Sequence, residues 1–153
     1  MSAAFHLAQI NIARMLALLD SPMMADFVAA LAEINALADR SPGFVWRLQS
    51  DDGNATSLRP YDDPMLIVNM SVWASLEALR RYAYKSAHAA YVRRRAEWFD
   101  TFEGAYLALW WIPASHLPSV LEAKERLDHL RAHGETPVAF SFKRTFSPNG
   151  SPH

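Results

Sequence analysis

The chain contains no cysteine, which excludes a disulfide framework, a thiolate zinc site, an iron–sulfur cluster and a cysteine nucleophile together. A reducing cytoplasm is the expected compartment. Glycine is scarce, 5 in 153 residues, and the sequence has neither a glycine-rich phosphate loop nor a G-x-S-x-G elbow. Nucleotide cofactors and serine hydrolysis therefore have no motif behind them. Neither sign of charge dominates: 15 Lys and Arg stand against 16 Asp and Glu, so attraction to a phosphate backbone, and with it a nucleic-acid partner, is not expected. No stretch approaches the ~20 apolar residues of a membrane span. The N-terminus, MSAAFHLAQINIARM, lacks a basic region ahead of an apolar run, so neither a membrane-spanning nor an exported chain is expected.

What is present suits a soluble globular protein, with 51% hydrophobic and 20% charged residues. A chain of 153 residues fits one domain with a core of its own. That domain is expected over residues 1–146, followed by a disordered tail, SPNGSPH, at 147–153.

Hydrophobic periodicity orders the elements. FHLAQINIARM alternates with the period of a strand. Ser21 and Pro22 then open a helix with apolar residues at 27, 31, 34 and 38, closed by Ser41, Pro42 and Gly43. FVWRLQ at 44–49 and MLIVNMSVW at 65–73 read as paired strands around an Asp-Gly turn signal. ASLEALRRYAY is helical, breaks near Lys85 and Ser86, and SAHAAYVRRRAEWF continues as a second helical piece. YLALWWIP at 106–113 is a strand ended by Pro113; a helix follows from near Pro118 with Leu121, Leu127 and Leu130 on one stripe and Gly134 past its end. VAFSFKRTF closes the domain as a last strand.

Strand, helix, strand, strand, helix, strand is the split-βαβ order of an α+β ferredoxin-like sandwich with an antiparallel sheet. In the third strand, Leu66, Val68, Met70 and Val72 form a uniformly apolar side, expected under the helices. Ile67, Asn69, Ser71 and Trp73 form a mixed side, and Gln9 and Asn11 of the first strand match it. The mixed face is expected to border a polar cavity, in the interior of a barrel made by two facing sheets.

FHLAQINIA, INALADRSPGFVWRLQ, VNMSVWASLEAL, His88, RRRAEWF, LALWWIP, HLPSVLEA and AFSF together resemble a bacterial family of unknown function, numbered 3291, over roughly residues 5 to 142. That family is similar in fold to the dimeric α/β-barrel superfamily, which includes antibiotic-biosynthesis and haem-degrading monooxygenases. The resemblance implies a homodimer with a pocket between sheet and helices in each subunit. In the haem-degrading branch an Asn, a Trp and a His surround haem. Asn11 and His88 match in type, Tyr82 stands where the Trp is expected, and only His88 is carried over as a haem ligand.

The expected catalytic pair is His88 as acid or base and Arg95 as anion stabiliser, one face of a helix apart by seven residues. Gln9, Asn11, Asn69 and Ser71 are expected to orient a substrate through amide and hydroxyl hydrogen bonds, with Trp73, Tyr82, Tyr91 and Trp98 around it. Of Trp110 and Trp111, adjacent on a strand, at most one can reach the pocket. Arg47 is expected as an exposed strand arginine, and Arg93 as the partner of Glu97. His129 and His133 lack a third metal ligand, and no metal is expected.

The function these readings give is binding of a small apolar or aromatic metabolite by a cofactor-independent monooxygenase-like enzyme or an isomerase or cyclase. Haem binding or degradation, and a non-catalytic ligand-binding or dimerisation module, are the alternatives.

Overall fold

A computed structural model of the protein describes residues 4–18, 20–48, 65–85, 93–100 and 105–152, the side chains of Lys85 and Arg95 excepted. Strand β1 (Phe5–Arg14) is followed by a 3-10 turn (Pro22–Met24) and helix α1 (Ala25–Asp39). Strands β2 (Phe44–Arg47) and β3 (Leu66–Trp73) precede helix α2 (Leu76–Lys85), and strand β4 (Leu107–Pro113) precedes helix α3 (Val120–His133). The sheet is four-stranded, in the order β2-β3-β1-β4, and its pairings are all antiparallel. This is the ferredoxin-like arrangement of a split βαβ chain.

Local chemistry sets the element ends. Pro22 starts the 3-10 turn from the extended backbone of Ser21, its fixed φ suiting a first helical position. The Ser119 hydroxyl accepts from the Glu122 N–H at 3.0 Å, which satisfies one of the unpaired donors at the start of α3. Gly134, with φ 75°, ends that helix as expected. Gly43, φ 83°, lies so close to α2 that a Cβ there would overlap the Ala78 side chain. Its carbonyl accepts from the Ala74 N–H at 2.7 Å, tying the start of β2 to the end of β3.

The alternation along the strands divides the core into two layers. On one face Ala8, Ile10, Ile12, Val68, Met70, Val72, Trp110 and Ile112 pack with Ala123, Leu127 and Leu130 of α3. On the other, Leu7, Trp73 and Leu109 pack with Ala38, Leu76 and Leu79 of α1 and α2. The expected coverage is therefore reversed: the uniformly apolar face lies under the added helix α3, and the mixed face lies under the chain's own α1 and α2. The period-2 pattern separates the faces but does not say which helix meets which.

Two further expectations are corrected. Leu121 is 65% exposed, because the inward stripe of α3 is Ala123, Leu127 and Leu130. The last strand is reduced to one bridge, in which Phe140 exchanges both backbone hydrogen bonds with Leu109 at 2.7 and 2.9 Å; the turn from Ser141 to Arg144 then ends the pairing. Within residues 147–152 the Ser147 N–H donates to the Ser151 carbonyl at 2.8 Å, and Phe146 bridges to Pro152. Ser, Pro, Asn and Gly that read as low complexity are also turn formers.

Candidate functional site

The register brings four polar side chains together. Gln9 of β1 lies opposite Ser71 of β3, and Asn11 lies opposite Asn69, all on the mixed face. Gln9 and Ser71 are buried, so each needs a partner, whereas Asn11 is half-buried and Asn69 exposed. They supply one another. Gln9 Nε2 donates to Asn69 Oδ1 and to Ser71 Oγ, both at 2.8 Å. Asn11 Nδ2 donates to Gln9 Oε1 at 3.0 Å and to Asn69 Oδ1 at 3.3 Å. Trp73 Nε1 donates to Ser71 Oγ at 2.8 Å.

Counting donors and acceptors shows what this network leaves over. Both N–H groups of Gln9 and of Asn11 are used, and Asn69 Oδ1 accepts twice. Ser71 Oγ accepts from two donor-only groups, so its own proton is uncommitted. Among the described residues the Asn69 Nδ2 donors and the Asn11 Oδ1 acceptor have no partner, and the two residues are opposite each other in register.

Above this floor lies a cavity of about 270 Å³. Phe27, Leu31, Ile34 and Asn35 of α1 roof it, with Leu79, Tyr82 and Ala83 of α2; Trp98 and Phe99 close one end, and Tyr106 and Phe142 flank the floor. The apolar spacing at 27, 31 and 34 that marks α1 as amphipathic is thus spent partly on cavity walls. Tyr82 stacks on Trp73, with centroids 4.9 Å apart and planes at 29°. Burial, with Asp39 nearby, pushes its phenol far above the usual value against the opposing effect of Arg47, so it remains a neutral donor at physiological pH.

Trp98 is held from two sides. Phe27 lies 5.5 Å from it, ring to ring, and the Arg94 guanidinium sits 4.6 Å from its ring centre, a cation–π contact. Arg94 donates to Glu97 Oε2 at 2.8 Å and to Asp26 Oδ2 at 3.0 Å. The expected Arg93–Glu97 pair is replaced by Arg94–Glu97 because residues 95–97 form a 3-10 turn, in which positions three apart eclipse. The hydrogen bond from Arg94 holds the Glu97 carboxyl below the usual range.

Of the residues singled out from sequence, Gln9, Asn11, Asn69, Ser71, Tyr82 and Trp98 line this one cavity. Trp73 is fully buried beneath it. His88 and Tyr91 lie outside the described residues, and of Arg95 only the backbone is described, so the expected His88–Arg95 pair has no geometry here. Trp110 faces α3, where its Nε1 donates to Glu122 Oε2 at 2.9 Å; Trp111 Nε1 donates to the Phe146 carbonyl at 2.7 Å.

Arg47 corrects the sequence reading. It sits opposite Ser71, lines the cavity and has a side chain only 15% exposed. Its Nε donates to Asp39 Oδ1 at 2.8 Å. A four-residue strand leaves too little pattern to tell its covered face from its open one. Asn35 and Tyr106 were also missed, since nothing in their spacing distinguishes a wall residue from a surface one.

Among the described residues no group of three His, Asp or Glu side chains is placed to hold a metal. The described lining residues include no imidazole, thiolate or thioether, whereas Tyr82, Tyr84 and Tyr106 carry phenols, a side-chain type that can ligate haem iron.

The chain matches the family model for a domain of unknown function, DUF3291, over residues 6–153. It belongs to that family. No curated protein matches this DUF3291 chain. Solved structures similar to it include SnoaB, a cofactor-independent oxygenase from Streptomyces nogalater, at 20% identity and TM-score 0.49, covering 76% of this chain and 100% of that one. A putative antibiotic biosynthesis monooxygenase from Nitrosomonas europaea has 14% identity and TM-score 0.47, covering 78% and 98%. A monooxygenase from Streptomyces coelicolor in complex with nanaomycin D has 19% identity and TM-score 0.36, covering 76% and 94%. No helix of the described residues is long and apolar enough to cross a membrane.

Proposed function

We propose that this DUF3291 protein, as the homodimer that its family resemblance implies, binds a planar hydroxy-keto metabolite and oxygenates it without a bound cofactor. Supporting this is the floor of the cavity, where the Asn69 amide offers N–H donors and Asn11 offers a carbonyl acceptor side by side beneath apolar and aromatic walls. A ketone oxygen accepts from Asn69 while a neighbouring hydroxyl donates to Asn11.

The same donors favour the enolate of that ketone, whose α-proton passes to solvent water, because charge developing on oxygen meets preorganised N–H groups. An electron-rich enolate is the form that reacts directly with dioxygen. For a methylene flanked by aromatic rings the balance is one substrate and one O₂ giving the ketone and one water. The hydrogen bonds from Gln9 and Asn11 hold the Asn69 carboxamide in place, and Trp73 through Ser71 anchors Gln9.

The test uses 1,8-dihydroxyanthrone, whose oxidation by one O₂ gives 1,8-dihydroxyanthraquinone and water. Oxygen uptake and quinone absorbance are followed with the full chain. The expected result is a rate above spontaneous oxidation that falls at least tenfold in Asn69→Ala. A rate equal to that without protein, or one unaffected by Asn69→Ala, would defeat the proposal.

A further inference from the structure

The proton on Ser71 Oγ has its direction set by its neighbours. Ser71 is 7% exposed, and its oxygen accepts from Gln9 Nε2 and from Trp73 Nε1, both at 2.8 Å. Each of those nitrogens donates and has no lone pair to offer, so both acceptor positions of the hydroxyl are filled. The bond to Cβ and the two accepted hydrogen bonds occupy three of the four tetrahedral directions about the oxygen. The proton takes the fourth. Accepting two hydrogen bonds also polarises the O–H and makes it a better donor.

We infer that this hydroxyl points its proton into the cavity that Ser71 lines and is a specificity-determining donor to a second oxygen of the ligand; this rests on the hydroxy-keto reading of the same cavity. Held in this orientation the hydroxyl can only donate, so the ligand atom that meets it must be an acceptor. A ligand N–H at that place would face another proton.

Position says which oxygen this is. Asn11 lies across the strand from Asn69, and Ser71 is the next residue of β3 on the same face. Gln9 Nε2 donates to Asn69 Oδ1 and to Ser71 Oγ at 2.8 Å each, so the carboxamide and the hydroxyl stand roughly 5 Å apart, under two hydrogen-bond lengths. With the ketone on Asn69 and one neighbouring hydroxyl on Asn11, Ser71 meets the group on the other flank of the ketone. A hydroxyl on that flank folds its own proton onto the ketone oxygen and turns only lone pairs outward. The ligand class narrows to planar ketones flanked by two hydroxyls, one donating to Asn11 and one accepting from Ser71.

Two symmetric compounds of the same shape separate the donor role from simple fit. In 1,8-dihydroxyanthraquinone either flanking group can donate to Asn11 and the other can accept from Ser71. In 1,8-diaminoanthraquinone either group can still donate to Asn11, but the other presents an N–H to Ser71, because its nitrogen lone pair is delocalised into the ring. Their Kd values for the full chain are compared by equilibrium dialysis. The dihydroxy compound is expected to bind at least about tenfold more tightly, the size of one hydrogen bond replaced by a mismatch. In Ser71→Ala the ratio is expected to fall below about twofold.

Equal affinities on the unmodified chain, or tighter binding of the diamino compound, would overturn the inference, and so would a ratio that survives Ser71→Ala. Should Ser71→Ala fail to fold, since it strips Gln9 and Trp73 of their acceptor, the comparison on the unmodified chain decides alone. If the dihydroxy compound binds and weakens in Asn69→Ala while the diamino compound binds as well as it does, only the Ser71 inference fails. If neither compound binds, or if binding ignores Asn69→Ala, the hydroxy-keto reading fails and this inference with it.

Discussion

The two faces of one sheet meet opposite fates. Ile10 and Met70 on one side are paired across β1 and β3 and almost completely buried in a layer sealed by α3. One residue away, Asn11 and Asn69 are paired across the same two strands, yet they border a cavity under α1 and α2. Apolar side chains can be closed over by any helix that presents complementary shape. Amides can be closed over only if every donor and acceptor finds a partner, and here an acceptor and two donors are left over among the described residues. The helices above the mixed face stand off as walls and present Asn35 and Tyr82 to the same cavity.

The strongest test of this contrast puts an amide on the sealed side. Met70→Asn removes a buried side chain, at about 1.5–3 kcal/mol, and leaves a polar group without a partner, at about 1–3 kcal/mol more. Unfolding in urea should show a loss of roughly 2.5–6 kcal/mol, the sum of those terms. A loss under about 1 kcal/mol would mean that the two faces tolerate polarity alike.

Much of this contrast is legible in the sequence. The alternation through residues 5–14 and 66–73 marks strands, and the repeated polar positions Gln9, Asn11, Asn69 and Ser71 fall on one side of them. Period-2 patterning cannot say which helix covers which side. α3 lies outside the split βαβ unit, and its claim on the apolar face depends on the connection after Pro113. Arg47 was illegible for a related reason: its depth depends on α1 and α2 lying over that face, which strand periodicity does not encode. Arg94 beside Glu97 was hidden by the 3-10 turn, since a spacing argument assumes an α-helix.

On the sealed side Glu122 of α3 is held by two hydrogen bonds. Glu122 accepts from Trp110 Nε1 at 2.9 Å and from His116 Nε2 at 2.7 Å. Burial raises its pKa, but the hydrogen bonds from His116 and Trp110 outweigh that and hold it below the ordinary value of 4.5. A depressed carboxylate stabilises the fold above its unfolded pKa and loses that contribution as pH falls through the folded one. Glu122→Gln should therefore cost about 1–2 kcal/mol at pH 7, and the gap should close as the pH drops below 4.5. Paired urea titrations at neutral and acid pH check this, and a gap that does not change with pH would show that the charge contributes nothing.

The smallest stability effect and the sharpest contrast should come from Asn69→Leu. The leucine cannot accept from Gln9 or Asn11, but those donors border a cavity that water can enter, so they are not stranded as they would be under α3. The added apolar surface meets Ile67 and Leu107 beside the floor and offsets part of the lost hydrogen bonding. Stability should stay within about 1 kcal/mol of the original chain. Binding of 1,8-dihydroxyanthraquinone should nonetheless weaken at least tenfold, because the donors aimed at its carbonyl are gone. Unchanged binding in this variant would make the amide floor a feature of strand packing alone; a large loss of stability would mean that the floor supports the fold as the sealed face does, and the distinction between the two faces would fail.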